Sequence, residues 1–260
     1  MARIVSAMIK MIAVDMDGTF LDENGQYDIE RFEKILEELE KREILFVVAT
    51  GNQISRMRHI FGEQSDRLAY VVGNGSHVIV KNETKILKNL SEKQLEHLFA
   101  YYEHNFDDYH IVVSSPEHSY MTKGAFSCDN LADKASLDYY NNSFPNVILL
   151  DNMSEMPQEA INKITMKVPM ASGFGALDVV LPNIDKAWGL KQIMTLFDIS
   201  PDELMAFGDG DNDLAMLSLA YHSYAMENAT ERVKETARFI APANTKSGVF
   251  QVIEAYLKEN

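Results

Sequence analysis

Two carboxylates stand two residues apart at the end of the first apolar segment of the chain. The segment Met11-Ile12-Ala13-Val14 leads directly into Asp15-Met16-Asp17-Gly18-Thr19. A short apolar run bounded by charge and glycine is typical of a buried strand in an α/β sheet, and such sheets bind ligands at the carboxyl ends of their strands. Because an unpaired carboxylate is costly to bury, Asp15 and Asp17 indicate a divalent-cation site with one acid free to do chemistry. A surface Asp-Gly hairpin turn is the alternative interpretation.

A second acidic cluster, far along the chain, favours the cation site. Gly208-Asp209-Gly210-Asp211-Asn212-Asp213 follows the apolar segment 204–207 and precedes the helix-like segment 214–217. The cluster could also be a calcium-binding loop, since its acids occupy alternate positions. That interpretation fails, because Leu214 stands where such a loop needs glycine and Ala220 stands where it needs a bidentate glutamate. The cluster is therefore predicted to lie at a second strand end.

Two further candidate segments lie between the acid clusters. Thr50-Gly51-Asn52 follows the apolar run 44–49 and precedes a predicted helix, so its hydroxyl and N–H groups form a candidate phosphate site. Threonine and glycine at a helix start are also common as a simple cap. Lys186 opens another amphipathic helix, where a lone lysine is ordinarily a solvated surface charge. In order, the chain offers an acid pair, a hydroxyl, a lysine and an acid cluster.

This order resembles the four motifs of the haloacid dehalogenase (HAD) superfamily. The chain is similar in particular to the Cof-type bacterial phosphatases with a C2B cap, and within those to the SupH-like sugar phosphatases. Asn52 supports that subgroup, since many Cof-type relatives carry arginine there. The resemblance extends from Met8 to Leu257 and rests most closely on Asp15-Met16-Asp17-Gly18-Thr19-Phe20-Leu21, Gly51-Asn52-Gln53, Ser172-Gly173-Phe174-Gly175 and Lys186-Ala187-Trp188-Gly189-Leu190.

The resemblance implies a role for each acid. Asp15 is the expected nucleophile and a metal ligand. Asp17 is the expected general acid and base, with its backbone carbonyl on the metal. Asp209 is expected to give the metal its carboxylate, and Asp213 is expected to support the metal. The implied cofactor is Mg²⁺ (Mg2+).

The resemblance also implies a substrate class and a phosphate-binding group. The implied activity is Mg²⁺-dependent hydrolysis of small phosphate monoesters, sugar phosphates in particular, through an aspartyl-phosphate intermediate. The residues expected to hold the substrate and its phosphoryl oxygens are Thr50, Gly51 (through its N–H), Asn52, Lys186 and Asn212.

Two other functions share parts of this chemistry. A phosphomutase of the same superfamily would return the phosphoryl group to its substrate. A phospho-accepting signalling module also uses an aspartate, a hydroxyl, a lysine and Mg²⁺, but such receivers are about half this length and carry the acceptor on a middle strand. Here the acceptor candidate follows the first strand, which disfavours the signalling module.

Composition limits the partners of this chain. With 260 residues and 46% hydrophobic residues, it is long enough to bury a core and to form two domains. The net charge of −15 argues against nucleic acid and anionic membranes as partners. We expect a small phosphorylated metabolite instead, bound by a monomer or small homo-oligomer. Cys128, the single cysteine, suits the reducing cytoplasm, and Lys10 interrupts the N-terminal apolar stretch, which is therefore not expected to be a signal peptide.

The expected fold class is α/β, with a doubly wound, mostly parallel sheet and an inserted α+β cap of C2B type. The predicted boundaries are 1–81 and 184–260 for the HAD core, which is Rossmann-like, and 82–183 for the cap. The cap is expected to be short, because 167–171 leads almost directly into 172–175. That leaves no room for the second helix and neighbouring strand that are usual in Cof-type caps. Either the cap is trimmed or a segment is missing from the sequence.

Hydrophobic periodicity and the turn signals between segments predict the individual elements. The predicted helices are 29–41, 54–61, 92–102 and 130–140. The predicted strands are 11–14, 44–49, 70–72, 77–80, 86–87, 110–113, 161–168, 177–181, 204–207 and 239–240.

Overall fold

A computed structural model describes residues 8–102, 105–126, 143–145, 147–170 and 173–260. The chain divides into two compact units. The first unit comprises Met1–Gly51, Asp66–Lys85 and Asp185–Asn260. The second unit comprises Asn52–Ser65 and Ile86–Ile184. The boundaries of core and cap given above stay predictions.

A large sheet organises the first unit. In the described part of the chain it has eight strands in the order β13-β12-β11-β1-β2-β3-β4-β5. Their bounds are β1 Met11–Val14, β2 Leu45–Ala49, β3 Ala69–Val72, β4 His77–Val80, β5 Glu83–Leu87, β11 Leu204–Gly208, β12 His222–Met226 and β13 Phe239–Ala241. The pairs from β13 to β3 are parallel, whereas β3 and β4 are antiparallel. This confirms the predicted doubly wound, mostly parallel sheet.

Helices accompany this sheet along the chain. Those that belong to the first unit are α1 Ile29–Lys41, α5 Lys186–Phe197, α6 Leu214–Leu219, α7 Glu231–Thr236 and α8 Gly248–Glu259. Helix α1 begins where the Asp28 carboxylate accepts a hydrogen bond from the Arg31 N–H, which satisfies an otherwise unpaired donor of the first turn. Its buried side chains recur with helical spacing, at Phe32, Ile35, Leu36 and Leu39.

An aromatic cluster joins α1 to the sheet and to α8. The rings of Phe20, Phe46 and Phe250 all have centroids within 6 Å of the Phe32 ring. Phe32 is fully buried. Because aromatic side chains bury large apolar areas, this cluster contributes strongly to the stability of the first unit.

The Phe32→Ala variant is expected to lose about 3–5 kcal/mol of unfolding free energy, because the cavity in this cluster cannot be refilled by its neighbours. Urea denaturation followed by circular dichroism measures the loss. Ile29→Ala, on the same helix but exposed, is the control and should change the unfolding free energy by less than about 0.5 kcal/mol. Equal effects of the two variants would contradict the assignment of Phe32 to the core.

A smaller sheet organises the second unit. Among the described residues it has five strands in the order β10-β9-β6-β7-β8. Their bounds are β6 Val112–Ser114, β7 Ser119–Thr122, β8 Ile148–Leu150, β9 Lys163–Met170 and β10 Gly173–Val179. The helices in the described part of this unit are α2 Ile54–Phe61, α3 Glu92–Tyr102 and α4 Lys123–Phe126. Strands β9 and β10 pair antiparallel with Gly173 opposite Met170, so only residues 171–172 separate them in sequence, and β10 begins four residues before the predicted strand 177–181.

One face of the smaller sheet is apolar and is packed by α3. Its buried residues include Ile111, Val113 and Tyr120, and partly buried Leu95 and Phe99 of α3 pack against this cluster.

The helix predicted at 130–140 lies outside the described residues. No helix in the described ranges combines the length and the apolar composition that a bilayer crossing requires.

Candidate active site

Four adjacent strands of the larger sheet bring the candidate site together. In the order β11-β1-β2-β3 these strands are parallel, so their carboxyl ends meet at one edge. Asp209 follows β11, Asp15 follows β1 and Thr50 follows β2. The Gly73-Asn74-Gly75 turn follows β3. Residues distant in sequence therefore become neighbours because their strands are neighbours.

Lys186 lies at the centre of the acidic cluster. Its Nζ donates hydrogen bonds of 2.6 Å to Oδ1 of Asp15 and of 2.6 Å to Oδ1 of Asp213. The side chains of Lys186 and Asp213 are 0% exposed, and Asp15 is only 7% exposed as a residue. A lysine is almost never fully buried unless it is paired. The interpretation of Lys186 as a solvated surface charge is therefore wrong, and the residue belongs to the buried acidic cluster.

Electrostatics in this cluster are dominated by burial and by the crowding of carboxylates. Burial and the nearby Asp213 carboxylate raise the pKa of Asp15 to about 8, although Lys186 opposes them. Burial acts to lower the pKa of Lys186, but the carboxylates of Asp15 and Asp213 outweigh burial and the pKa is raised. Burial also raises the pKa of Asp209. The cluster thus holds more negative charge than one ammonium group offsets.

The loop after β11 is fixed by its own side chains. Oδ2 of Asp213 accepts hydrogen bonds of 3.0 Å from the N–H groups of both Asp209 and Gly210. The Thr19 hydroxyl donates a 2.8 Å hydrogen bond to Oδ1 of Asp209, which joins this loop to the turn after β1. Gly18 in that turn has φ +79°, and a Cβ there would lie 2.3 Å from Oδ2 of Asp209. Only glycine permits so close an approach.

Three carboxylates of this cluster could hold a metal ion. One oxygen from each of Asp15, Asp209 and Asp213 lies within 4.8 Å of the others. All three ligands are oxygens, which hard cations such as Mg²⁺ and Ca²⁺ prefer. Asp17, two residues after Asp15, is exposed, and among the described residues its carboxylate does not belong to this group. The residues present therefore fit a divalent cation.

A second group of polar residues gathers at the ends of β2 and β3. The Thr50 carbonyl accepts a 3.1 Å hydrogen bond from the Asn74 N–H. A Cβ on Gly51 would lie 3.0 Å from the Asn74 side-chain oxygen, so the Asn74 amide packs directly on Gly51. That oxygen is also 3.5 Å from Nδ2 of Asn212. Asn74 thereby connects three of the predicted phosphate-binding residues.

Asn74 is the residue of this group that the sequence prediction missed. The sequence shows only a turn there, and the structure gives Gly73, Asn74 and Gly75 positive φ angles of 57°, 52° and 101°. The available signal was an amide two residues after the buried strand β3, close to the place that Thr50 occupies directly after β2. A single amide in a glycine-rich turn does not stand out by pattern alone.

Close backbone packing seats the helix that carries Lys186. A Cβ on Gly75 would lie 2.1 Å from the Asp185 carbonyl oxygen, and a Cβ on Gly189 would lie 2.3 Å from Cγ1 of Val71. The helix begins at Lys186, where the Asp185 carboxylate accepts a 2.7 Å hydrogen bond from the Trp188 N–H. Two glycines thus let α5 approach β3 closely enough for Lys186 to reach Asp15.

The structure brings together most of the predicted site residues. Asp15, Lys186, Asp209 and Asp213 form one cluster, and Thr50, Gly51 and Asn212 form a group around Asn74. Asn52 belongs to the second unit. The catalytic, metal-binding and phosphate-binding roles of all these residues stay predictions.

The family model for haloacid dehalogenase-like hydrolases matches residues 12–253, nearly the whole chain. The chain belongs to this family. The match accounts for the fold, with its large, mostly parallel sheet, and confirms the resemblance carried by the four sequence motifs.

The curated relatives and the solved structure below match this HAD hydrolase over nearly its full length. It is 34% identical to 5-amino-6-(5-phospho-D-ribitylamino)uracil phosphatase YbjI of Escherichia coli (strain K12), over 96% of this chain and 97% of that protein. It is 27% identical to the phosphatase of the same name, YcsE, of Bacillus subtilis (strain 168), over 96% of each chain. The crystal structure of SMU.1108c from Streptococcus mutans UA159 is similar with a TM-score of 0.84 and 34% identity, covering 96% of this chain and 99% of that one. The HAD hydrolase is a phosphoric monoester hydrolase.

Proposed function

We propose that this HAD hydrolase is a Mg²⁺-dependent phosphatase of small phosphorylated metabolites, sugar phosphates above all. The observation that carries the proposal is the buried cluster in which Lys186 bridges Asp15 and Asp213 beside Asp209. A nucleophilic carboxylate, a buried cation and excess negative charge for a metal are the parts that phosphoryl transfer requires.

Four residues would hold the cation. Asp15 and Asp209 would bind through their carboxylates and Asp17 through its backbone carbonyl, while Asp213 would support the site from the adjacent loop. When bound, Mg²⁺ offsets the repulsion between an anionic nucleophile and a phosphate dianion. Burial and the nearby Asp213 carboxylate raise the pKa of Asp15, and this supports the assignment, because a bound cation would offset both effects.

Hydrolysis then proceeds in two steps on residues of the first unit. Asp15 attacks phosphorus in line, so that a bond from phosphorus to its carboxylate oxygen forms as the bond to the leaving oxygen breaks, giving an aspartyl phosphate. Asp17, in its protonated form, gives its proton to the leaving oxygen. The Asp17 carboxylate then takes a proton from the water that hydrolyses the intermediate.

The remaining predicted residues hold the phosphoryl group. The Lys186 ammonium and the N–H of Gly51 offer donors to its oxygens, and the hydrogen bond from Lys186 to Oδ1 of Asp15 fixes the orientation of the nucleophile. The other donors assigned to the substrate are the hydroxyl of Thr50 and the amides of Asn52 and Asn212.

The substrate proposal draws on the two ribitylaminouracil phosphatases as well. Both relatives are named for a substrate whose phosphate sits on a ribityl chain. Such a phosphate ester has an alcohol as its leaving group, as sugar phosphates do, and so needs the same proton donor. We therefore include 5-amino-6-(5-phospho-D-ribitylamino)uracil among the candidate substrates.

We further propose that the inserted region 82–183 acts as the cap and selects the organic part of the substrate. The net charge of −15 supports a small phosphorylated metabolite as the partner, with neither nucleic acid nor membrane involved. A monomer or small homo-oligomer in the cytoplasm is the state that we propose for the enzyme.

The direct test is a phosphate-release screen of the purified enzyme over phosphorylated sugars, other small esters and the ribitylaminouracil phosphate, with Mg²⁺ and with a chelator. We expect Mg²⁺-dependent release, highest on one of the sugar or ribityl esters. A bisphosphate activator that is required for turnover would favour the phosphomutase. Release that is unaffected by the chelator would contradict the proposed cofactor.

The Asp209→Asn variant is expected to weaken Mg²⁺ binding, because it removes one of three carboxylate charges from the proposed site. A ligand at one hundred times its Kd stabilises a protein by about 2.7 kcal/mol, so Mg²⁺ should raise the Tm of the wild type by several degrees but hardly that of the variant. Thermal melts with and without Mg²⁺ measure this shift independently of turnover.

Asp211→Asn is the matched control for this loop. The Asp211 carboxylate is exposed and 3.3 Å from the Arg232 guanidinium, outside the group of three carboxylates. It should keep the full Mg²⁺ shift. Equal Mg²⁺-induced rises in Tm in the two variants would show that Asp209 is not a ligand of the proposed metal site.

A further inference from the structure

Two asparagine side chains hold the backbone of the turn that contains Asp17. Nδ2 of Asn228 donates a 2.8 Å hydrogen bond to the Gly18 carbonyl oxygen. Nδ2 of Asn244 donates a 2.8 Å hydrogen bond to the Leu21 carbonyl oxygen, where the turn ends. The Asn244 N–H also donates to Oδ1 of Asn228 at 3.1 Å, which fixes the direction in which the Asn228 amide points.

The turn is irregular and depends on such external support. Between Asp15 and Leu21 the chain leaves helical geometry, with φ/ψ of −75°/122° at Asp17 and 79°/−4° at Gly18. Two backbone hydrogen bonds lie within the turn. The Phe20 N–H donates to the Asp15 carbonyl at 3.2 Å, and the Leu21 N–H donates to the Met16 carbonyl at 2.9 Å. Neither fixes the carbonyl of Gly18, the residue that immediately follows Asp17.

The loops that supply the two amides are themselves tied together. Asn228 follows β12 and Asn244 follows β13, which are parallel neighbours in the larger sheet. Between them, the Glu227 carboxylate accepts a 2.8 Å hydrogen bond from Nζ of Lys246, and the Glu227 N–H donates to the Ala241 carbonyl at 2.9 Å. These hydrogen bonds therefore restrain the loop that carries Asn228.

We propose that Asn228 is a positioning residue for the acid and base Asp17, acting through the Gly18 carbonyl, with Asn244 orienting the Asn228 amide. The inference rests on the proposed function, since it concerns the proton transfer assigned to Asp17. Holding the Gly18 carbonyl fixes the backbone that follows Asp17, and with it the direction of the Asp17 carboxyl. Small misplacements of a catalytic group cost rate steeply, so one amide outside the site can matter.

The Asn228→Asp variant tests this with almost no change of shape. A carboxylate cannot donate to the Gly18 carbonyl, so that carbonyl loses the donor from Asn228, while the hydrogen bond from Asn244 to the Leu21 carbonyl stays. We expect kcat on a sugar phosphate to fall on the order of tenfold or more, with a clearly smaller loss on p-nitrophenyl phosphate, whose leaving group needs little protonation. KM for both esters should change far less than kcat. Asn244→Ala keeps the N–H that orients the Asn228 amide but removes the hydrogen bond to the Leu21 carbonyl, so it should give the same selective pattern more weakly.

Asn260→Asp is the matched control. Nδ2 of Asn260 also donates to a backbone carbonyl, that of Tyr256 at 3.1 Å, but at the C-terminal end of α8. It should leave both esters unaffected. Melting curves of all variants separate lost stability from lost positioning.

Three results would overturn the proposal. Equal losses of kcat on the two esters would make Asn228 a purely structural clamp, as would a failure of both Asn228→Asp and Asn228→Ala to fold. No loss on either ester would show that the bond to Gly18 is dispensable. A wild-type enzyme that hydrolyses no phosphate ester would instead contradict the proposed function, which keeps the two failures distinct.

Discussion

The Asp15→Asn variant is expected to lose turnover by a factor on the order of 10⁴ or more, because an amide cannot form the aspartyl phosphate. Nearly the whole rate should disappear, since the other residues of the cluster act on the same intermediate. After an acid quench, the wild type should retain labelled phosphate from the substrate covalently and the variant should not. That measurement checks the nucleophile directly, without relying on the rate alone.

Folding has to be preserved for this result to count. Asp15 is hydrogen-bonded to Lys186, but Lys186 keeps its second partner Asp213 in the variant, so the buried ammonium is not left unpaired. Circular dichroism and a melting curve check this, with Asp211→Asn as an exposed control that should turn over normally. Turnover near the wild-type rate in Asp15→Asn would exclude Asp15 as the nucleophile.

Local signals were sufficient to predict much of the fold. Strand β1 follows from an apolar run that stops at a charge, and α1 follows from apolar residues at helical spacing after the Asp28 cap. Strand β12, by contrast, begins with His222 and Ser223 and has no clear apolar alternation, so no periodicity marked it. The sheet exists there because β11 offers a parallel partner, which is a property of the fold and not of the segment.

The site shows the same division between local and distant causes. The acids could be predicted because they follow apolar strands, and the parallel order of those strands brings them together. The burial of Lys186 could not, since it depends on the contact of Gly189 with Val71 and on that of Gly75 with Asp185. Asn228 likewise lies far from Gly18 in sequence, and only the neighbouring positions of β11 and β12 bring its amide to the turn. Contacts between distant segments carry no periodic signal.

Asp17→Asn is expected to divide substrates by their leaving group. The amide cannot give a proton to the leaving oxygen, which costs about 10²- to 10⁴-fold where general acid catalysis is needed. Sugar and ribityl phosphates release an alkoxide unless it is protonated, whereas p-nitrophenolate leaves readily as an anion. The kcat for the alcohol esters should therefore fall far more than that for p-nitrophenyl phosphate.

The size of that difference decides between two roles for Asp17. If Asp17 acted only through its backbone carbonyl on the metal, the Asn variant would keep that carbonyl. The kcat for each ester would then fall only slightly, and by the same factor. A large difference between the esters requires the side-chain carboxyl as the proton donor. The Mg²⁺-induced rise in Tm should be nearly unchanged in Asp17→Asn, unlike in Asp209→Asn. A variant that loses the Mg²⁺ shift and also loses activity equally on the two esters would assign the Asp17 carboxylate to the metal rather than to proton transfer.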